Sequence, residues 1–436
     1  MTTHLDREAP SIAPGPRARS WSRWAVTPPL VAFLASARLR DRPDRLLSLL
    51  RDHDPIHRSP FGFWVLSTHA EVEATLRDHR FGSDEVNLDL DLLRLGPLHR
   101  MMGHGDVTYE GEFMDVSHDL MLFRDPPDHT RLRGLVARAF TPRRLAKIED
   151  RVEAVADELL ADLARRPGFD LMSELAYPFP ARVICELLGL PQSDHELISI
   201  HGRSLAVGLD PLPSKEQLRE ADGAVVALRR HLEPVFAARR SAPRDDLLSD
   251  LVGAADDGDS LTADELLATV VLLLIAGHET TANLIGNGTV LLDANPEERE
   301  RLRAGTVDPG RAIDELLRRD PPVQMTQRIA LDDAELGGRA VPKGSIVALL
   351  FMAANHDPAV FEDPTRLDLD RPNANRHLTF GGGAHYCLGA SLARMEGRIM
   401  LPKLLRTFPG LQVASPAPRH RPSFTIRGYE RVDLTV

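Results

Sequence analysis

Two cysteines, Cys185 and Cys387, are all that the 436-residue chain contains. A disulfide framework, a Cys-rich zinc ribbon and a four-thiolate iron–sulfur site are thereby excluded, and any sulfur chemistry must use one thiolate. Lysine is almost as scarce, confined to Lys147, Lys215, Lys343 and Lys403, so arginine carries nearly all of the positive charge. An excess of positive charge is missing too. The 64 Asp and Glu outnumber the 53 Lys and Arg, giving a formal net charge of -11, which argues against general attraction to nucleic acid or anionic lipid. No apolar run has membrane length: the most apolar stretch, Leu266 to Ala276, falls short of the roughly 18–20 residues that span a bilayer. It runs directly into Gly277-His278-Glu279 and reads as a buried helix. Nor does an apolar segment of signal-peptide quality precede the Pro- and Arg-containing stretch Pro10 to Arg19. Residues 1–20 read as a solvated tail, and the simplest expectation is a cytoplasmic protein with no membrane anchor.

What is present is an ordinary globular composition, 43% hydrophobic and 27% charged, enough for a large core and incompatible with disorder. His57 to Leu66 reads as a hairpin turning at Pro60 to Gly62, followed by a short helix from Ala70 to Asp78. Gly82 to Phe123, with Met101, Met102, Met114 and Met121, loses periodicity and is a candidate lid. Amphipathic helical patterns dominate from His129 to about Leu317. After Pro321 come short β-type pieces, Thr326 to Ala330 and Ser345 to Phe351, then a helix from about Leu388 to Thr407 and an alternating final hairpin, Phe424 to Val436. No repeat or linker divides the chain. The expectation is a mainly α protein with a small β region, one domain over residues 21–436.

The sharpest segment is Phe380-Gly381-Gly382-Gly383-Ala384-His385-Tyr386-Cys387-Leu388-Gly389. Its glycines permit a backbone that approaches a flat object closely, and Cys387 falls where a helix begins, a position whose dipole and free N–H groups favour a thiolate. A phosphate-cradling loop would need Gly-Lys-Ser/Thr or Gly-x-Gly-x-x-Gly, and neither is present. Cys185, within Val183 to Leu188, reads as a packing residue. Phe380, Gly383, Cys387 and Gly389 together resemble the Phe-x-x-Gly-x-x-x-Cys-x-Gly haem-ligand signature of the cytochrome P-450 superfamily. That resemblance implies haem b, held between a long central helix and the Cys-ligand loop, with Cys387 as the axial iron ligand whose electron donation favours O–O cleavage.

Three further constellations fit the resemblance. Glu315-Leu316-Leu317-Arg318 places an acid and a base on one helical face, a pattern usually worth little by itself. The family joins the pair to a second arginine, here Arg366 of Pro364-Thr365-Arg366, in a structural triad; Leu367 stands where Phe is commoner. Thr262-Ala263-Asp264-Glu265 is a capping box leading into the apolar run and Ala276-Gly277-His278-Glu279-Thr280-Thr281. A zinc-protease reading fails because Ala282 occupies the position of the second histidine. Gly and Thr inside a buried helix invite a hydroxyl to bond back to a carbonyl and loosen it. The segment resembles the family's oxygen-binding groove, which puts Ala276 against haem and assigns Thr280 to hydrogen-bonding dioxygen and Glu279 to proton delivery through water. His129 and Arg133, four apart, can hold a carboxylate from one side. By resemblance, His129, Arg133, Arg328 and His385 bind the haem propionates.

The resemblance implies a monooxygenase that hydroxylates or epoxidises a lipophilic small molecule with O2 and electrons from NAD(P)H, delivered by ferredoxin reductase and ferredoxin to a monomeric enzyme. Arg131, Arg138, Arg143, Arg144, Arg394 and Arg398 are candidates for docking the acidic partner. Leu273, Val323, Met325 and Phe424 are the expected apolar pocket residues. Two alternatives are a peroxide-driven haem-thiolate peroxygenase, which usually departs from the acid–alcohol pair kept here as Glu279 and Thr280, and a non-catalytic haem protein, for which no residues remain to form an output domain.

Overall fold

The computed structural model describes residues 22–93, 109–256, 261–414 and 418–436. Met101, Met102 and the amino-terminal tail lie outside them. Helices dominate, and the longest, Ala263–Asp293, runs through the middle of the molecule. Its capping box forms as the sequence predicts, with Thr262 Oγ1 accepting from Glu265 N at 3.1 Å and Glu265 Oε2 from Thr262 N at 2.8 Å. Past this cap nearly every residue is buried, and from Leu266 to Ala276 all but Thr269 are apolar, so amphipathicity is weak and the helix is stable only when covered on all sides. The helices Pro178–Leu188, His195–Gly208, Pro309–Arg319 and Ala390–Thr407 supply that cover. Among the described residues it is the one helix long and apolar enough to cross a membrane, and 83% of that window is buried inside the protein.

The strands are short. β1 (Ile56–Arg58) and β2 (Trp64–Leu66) form the expected hairpin, Ile56 opposite Leu66. β3 (Phe81–Gly82), β5 (Thr326–Ala330) and β8 (Ile346–Leu349) complete a five-stranded sheet of order β1-β2-β8-β5-β3, in which only the β2–β8 pairing is parallel. β6 (Ala334–Leu336) and β7 (Arg339–Val341) turn at Gly337-Gly338. The carboxyl terminus departs from expectation. Phe424 to Val436 is not a hairpin: β10 (Asp433–Thr435) pairs with β4 (Gly168–Asp170) and with β9 (Gln412–Val413). Alternation marks a strand but not its partner, and here two distant strands win over a local turn. Within the lid candidate, the helix Glu112–Asp119 inserts Phe113 and Val116 into the helical core.

Candidate active site

The central helix changes character at one place. Leu266 to Ile275 are buried, yet Ala276 is exposed and Gly277 and Thr280 are part-exposed, so the helix faces an open gap there. Thr280 Oγ1 donates to the Ala276 carbonyl at 2.7 Å, the back-bonding its position invites. Glu279 points elsewhere. It is buried, with Oε1 accepting from Asn283 Nδ2 at 3.2 Å and from the guanidinium of Arg421, which reaches in from the carboxyl-terminal segment. Sequence spacing gives no hint of Arg421, 142 residues away.

The Phe380–Gly389 loop is fixed before any ligand is considered. Cys387 N donates to the Phe380 carbonyl at 2.8 Å, closing the loop on itself. The Phe380 ring packs against His377 at 5.4 Å and under the Arg394 guanidinium at 4.5 Å. At Gly383 the backbone has φ +64°, and a Cβ would stand 2.1 Å from the Leu76 carbonyl oxygen. The glycine therefore lets the loop lie against the end of the helix His69–Arg77. Gly389 precedes the helix Ala390–Thr407, three residues beyond Cys387. The helix terminus does not by itself favour the thiolate: burial raises the Cys387 thiol, and the Gly389 N–H, Arg133 and Arg394 offset only part of that.

Around this loop gather the four expected basic residues. His129, buried on the helix Asp128–Ala137, lies with its ring 4.1 Å from that of His385. Arg133, one turn on, donates to the Tyr386 carbonyl at 2.7 Å. Arg328, in β5, is 6% exposed; its one hydrogen bond goes to the Gln327 carbonyl at 2.8 Å, and among the described residues no carboxylate pairs with it. Burial pushes the Arg328 guanidinium down to about 10, against the distant pull of Asp125. His385 is pushed down to about 3 by burial and then by Arg328, His129 and Arg133. The cluster is thus a gathering of hydrogen-bond donors, two of them guanidiniums and one of those buried, beside a thiol.

The Glu315 network differs from expectation in one member. Arg318 binds Glu315 in a two-pronged pair at 2.7 and 2.8 Å, but the second arginine is Arg371, whose Nε stands 3.1 Å from both carboxylate oxygens. Arg366 instead turns out to solvent, 63% exposed and paired with Asp368 at 2.8 Å, and lends the network only its carbonyl. The chain reverses at Asp363, in a left-handed conformation with φ 43°, and brings Arg371 back beneath Glu315. The docking candidates also divide. Arg131, Arg144, Arg394 and Arg398 pair with Glu265, Asp250, Asp314 and Glu149, which leaves less of their charge available to a partner.

The pocket candidates do not converge on one cavity. Met325 and Phe424 line an apolar cavity of about 300 Å³ with Leu30, Phe33, Leu212 and Ala348. Leu273 is packed in the helical core and Val323 against the sheet. Gln324, Gln327 and Ile329 also face the cavity.

Comparison with known proteins decides the family. The family model described as cytochrome P-450 matches residues 209–306 and 310–423. Vitamin D(3) 25-hydroxylase of Pseudonocardia autotrophica is 36% identical over 411 residues, 92% of this chain and 96% of that one. The chain belongs to the cytochrome P-450 family. Cytochrome P-450 107B1 of Saccharopolyspora erythraea is 37% identical over 406 residues, 91% of this chain and 93% of that one. Among solved structures, P-450 BioI in complex with hexadec-9Z-enoic acid ligated acyl carrier protein superposes with a TM-score of 0.81 at 33% identity, covering 92% of this chain and all of that one. The mainly α fold with a small sheet is thus the cytochrome P-450 fold, and the protein is a cytochrome P-450 monooxygenase, a family whose prosthetic group is haem.

Proposed function

We propose that the protein holds haem b through Cys387 and inserts one oxygen atom of O2 into a lipophilic small molecule, in the cytoplasm and as a monomer. The observation that carries this reading is the Arg328 cluster: a buried guanidinium without a carboxylate, two close imidazoles and Arg133, all beside a lone thiol. Uncompensated buried charge is costly, so such a cluster calls for an anion supplied from outside the chain. Two propionates meet that need, and the thiol meets the need of an iron. Coordination by a metal deprotonates a thiol outright, which overrides the burial that otherwise raises Cys387.

When bound, haem supplies the reductive activation of dioxygen. The chain supplies the surroundings. His129, Arg133, Arg328 and His385 anchor the propionates. Ala276 would lie against the haem, and the Thr280 hydroxyl, now bonded to the Ala276 carbonyl, would orient dioxygen by a hydrogen bond. Glu279 is the proton donor through water. Electrons come from NAD(P)H through ferredoxin reductase and ferredoxin, for which Arg138 and Arg143, exposed on the helical face before Leu145, remain docking candidates. The apolar cavity beside Met325 and Phe424 suits a lipophilic substrate. Preservation of the Glu279–Thr280 pair favours this reading over a peroxide-driven peroxygenase.

The test is the absorption spectrum of the reduced protein under carbon monoxide. A strongly red-shifted Soret band is expected, and its loss in Cys387→His. A histidine-type band in the unaltered protein refutes thiolate ligation. Product formed from peroxide alone, with none from ferredoxin, reductase and NADPH, refutes the monooxygenase assignment.

A further inference from the structure

Among the described residues, buried polar atoms that make no hydrogen bond belong to adjoining side chains, Tyr177 Oη, Glu279 Oε2 and Arg421 Nε, and the His278 ring, whose near polar neighbour is the Tyr177 backbone, lies among them. The Tyr177 and His278 rings lie 5.4 Å apart, His278 is adjacent to Glu279, and Glu279 is ion-paired to Arg421. Native proteins leave few such atoms unpaired, and a group of them side by side is a place for bound water. The backbone around the group is unusual. Tyr177 closes a π-helical turn, Met172–Ala176, a geometry frequent at functional sites. Gly202 faces His278 so closely that a Cβ would come to 3.0 Å from Nδ1.

The cluster has two ends. At one, Arg203 of the His195–Gly208 helix lies over the Tyr177 ring at 4.8 Å and is part-exposed, so the recess approaches solvent. At the other, Glu279 is followed by Thr280 and the open gap. Arg421 and Asn283 both engage Oε1 of Glu279 and leave Oε2 without a partner. His278, neutral when buried this deeply, offers one donor and one acceptor to the same space.

We propose that Tyr177, His278 and the water between them form the supply route that returns protons to Glu279, and that Arg421 is a positioning residue holding Oε1 so that Oε2 does the transfer. The proposal rests on the monooxygenase reading, which requires protons beside Thr280. In each transfer Glu279 Oε2 takes one proton from a bound water, passes it on toward Thr280 Oγ1, and the hydroxide left behind is reprotonated from solvent. That water is replenished from solvent past Arg203. The carboxylate ends as it began, and no electron moves along the route.

Tyr177→Phe tests it in the full-length haem-loaded protein, because the hydroxyl has no partner among the described residues and its removal breaks no hydrogen bond with them. Turnover is expected to fall roughly tenfold, less than the roughly hundredfold that loss of a direct proton donor costs, since water still fills the recess. The solvent deuterium isotope effect should rise with it, while the carbonyl band and the substrate-induced spin shift stay as in the unaltered protein. Arg421→Gln should divert reducing equivalents to peroxide, and Arg421→Lys should recover part of the coupling. A crystal structure should hold ordered water bridging Tyr177 Oη, His278 and Glu279 Oε2. A dry recess, or a Tyr177→Phe protein with unchanged rate and isotope effect, overturns the route while leaving the haem-thiolate reading intact. An unaltered protein lacking the thiolate carbonyl band overturns both.

Discussion

Two arginine-centred clusters, one around Glu315 and one around Arg328, serve opposite ends. Around Glu315 the accounts close within the chain. Arg318 and Arg371 bind both carboxylate oxygens, the Asp368 N–H adds a third donor at 3.1 Å, and the remaining guanidinium hydrogens reach the carbonyls of Asn355, Glu362, Asp363, Pro364 and Arg366. Around Arg328 they do not: two guanidiniums and two imidazoles gather, and among the described residues no carboxylate forms an ion pair with them. A satisfied buried network holds a fold together, and an unsatisfied one marks a place where something else binds.

The largest effect should come from breaking the closed cluster. Arg318→Ala leaves Glu315 buried with one cation removed, and a loss of about 3–5 kcal/mol is expected, read as a lowered urea midpoint or as insolubility. In the open cluster the sign divides. Arg328→Ala removes a buried charge that has no partner, so the haem-free protein should be at least as stable, whereas haem should be lost to an acceptor globin roughly tenfold to hundredfold faster, equivalent to about 1.5–3 kcal/mol. A haem-free protein destabilised as strongly as by Arg318→Ala would erase the distinction.

His356 sharpens it further. Its Nε2 lies 2.9 Å from the Arg319 carbonyl, and burial followed by Arg319 and Arg318 pushes it down to about 3. It stays neutral when folded. As pH falls below about 6.5 the unfolded chain takes up a proton that the folded chain refuses, so stability should fall by up to about 1.4 kcal/mol per pH unit until about pH 3. The difference between urea midpoints at pH 7 and pH 5 should shrink in His356→Gln. The smallest effect is expected at Arg366, whose exposed guanidinium takes no part in either cluster: Arg366→Ala should change stability by about 0–1 kcal/mol, against the large loss expected of Arg371→Ala.

Arg366 and Arg371 also show where the sequence stops being readable. Regular periodicity located Arg318 relative to Glu315, and His129 relative to Arg133, because helix geometry fixes which side chains share a face. The loop from Asp363 to Arg371 has no period, and its reversal at a left-handed aspartate places the later arginine under Glu315. The central helix, the hairpin β1–β2 and the Cys387 loop were legible for the same reason, each being local. The pairing of β10 with β4 and the ion pair of Glu279 with Arg421 are not local. Leu273 and Val323 illustrate a different limit: an apolar residue in a recognised segment suits a cavity wall and a packed core equally well, and only packing distinguishes them.

The Glu279–Arg421 pair bears on how the protein comes into being. A ribosome must add 142 residues after the glutamate before the arginine exists, and β4 waits longer still for β10. Until then the nascent central helix carries an acid with no cation to meet it. It cannot settle into its final burial without taking up a proton or keeping water around that side chain. Maturation of the core is therefore a late event of translation, and a chain shortened ahead of Arg421 should engage chaperones rather than accumulate as a native protein lacking one loop.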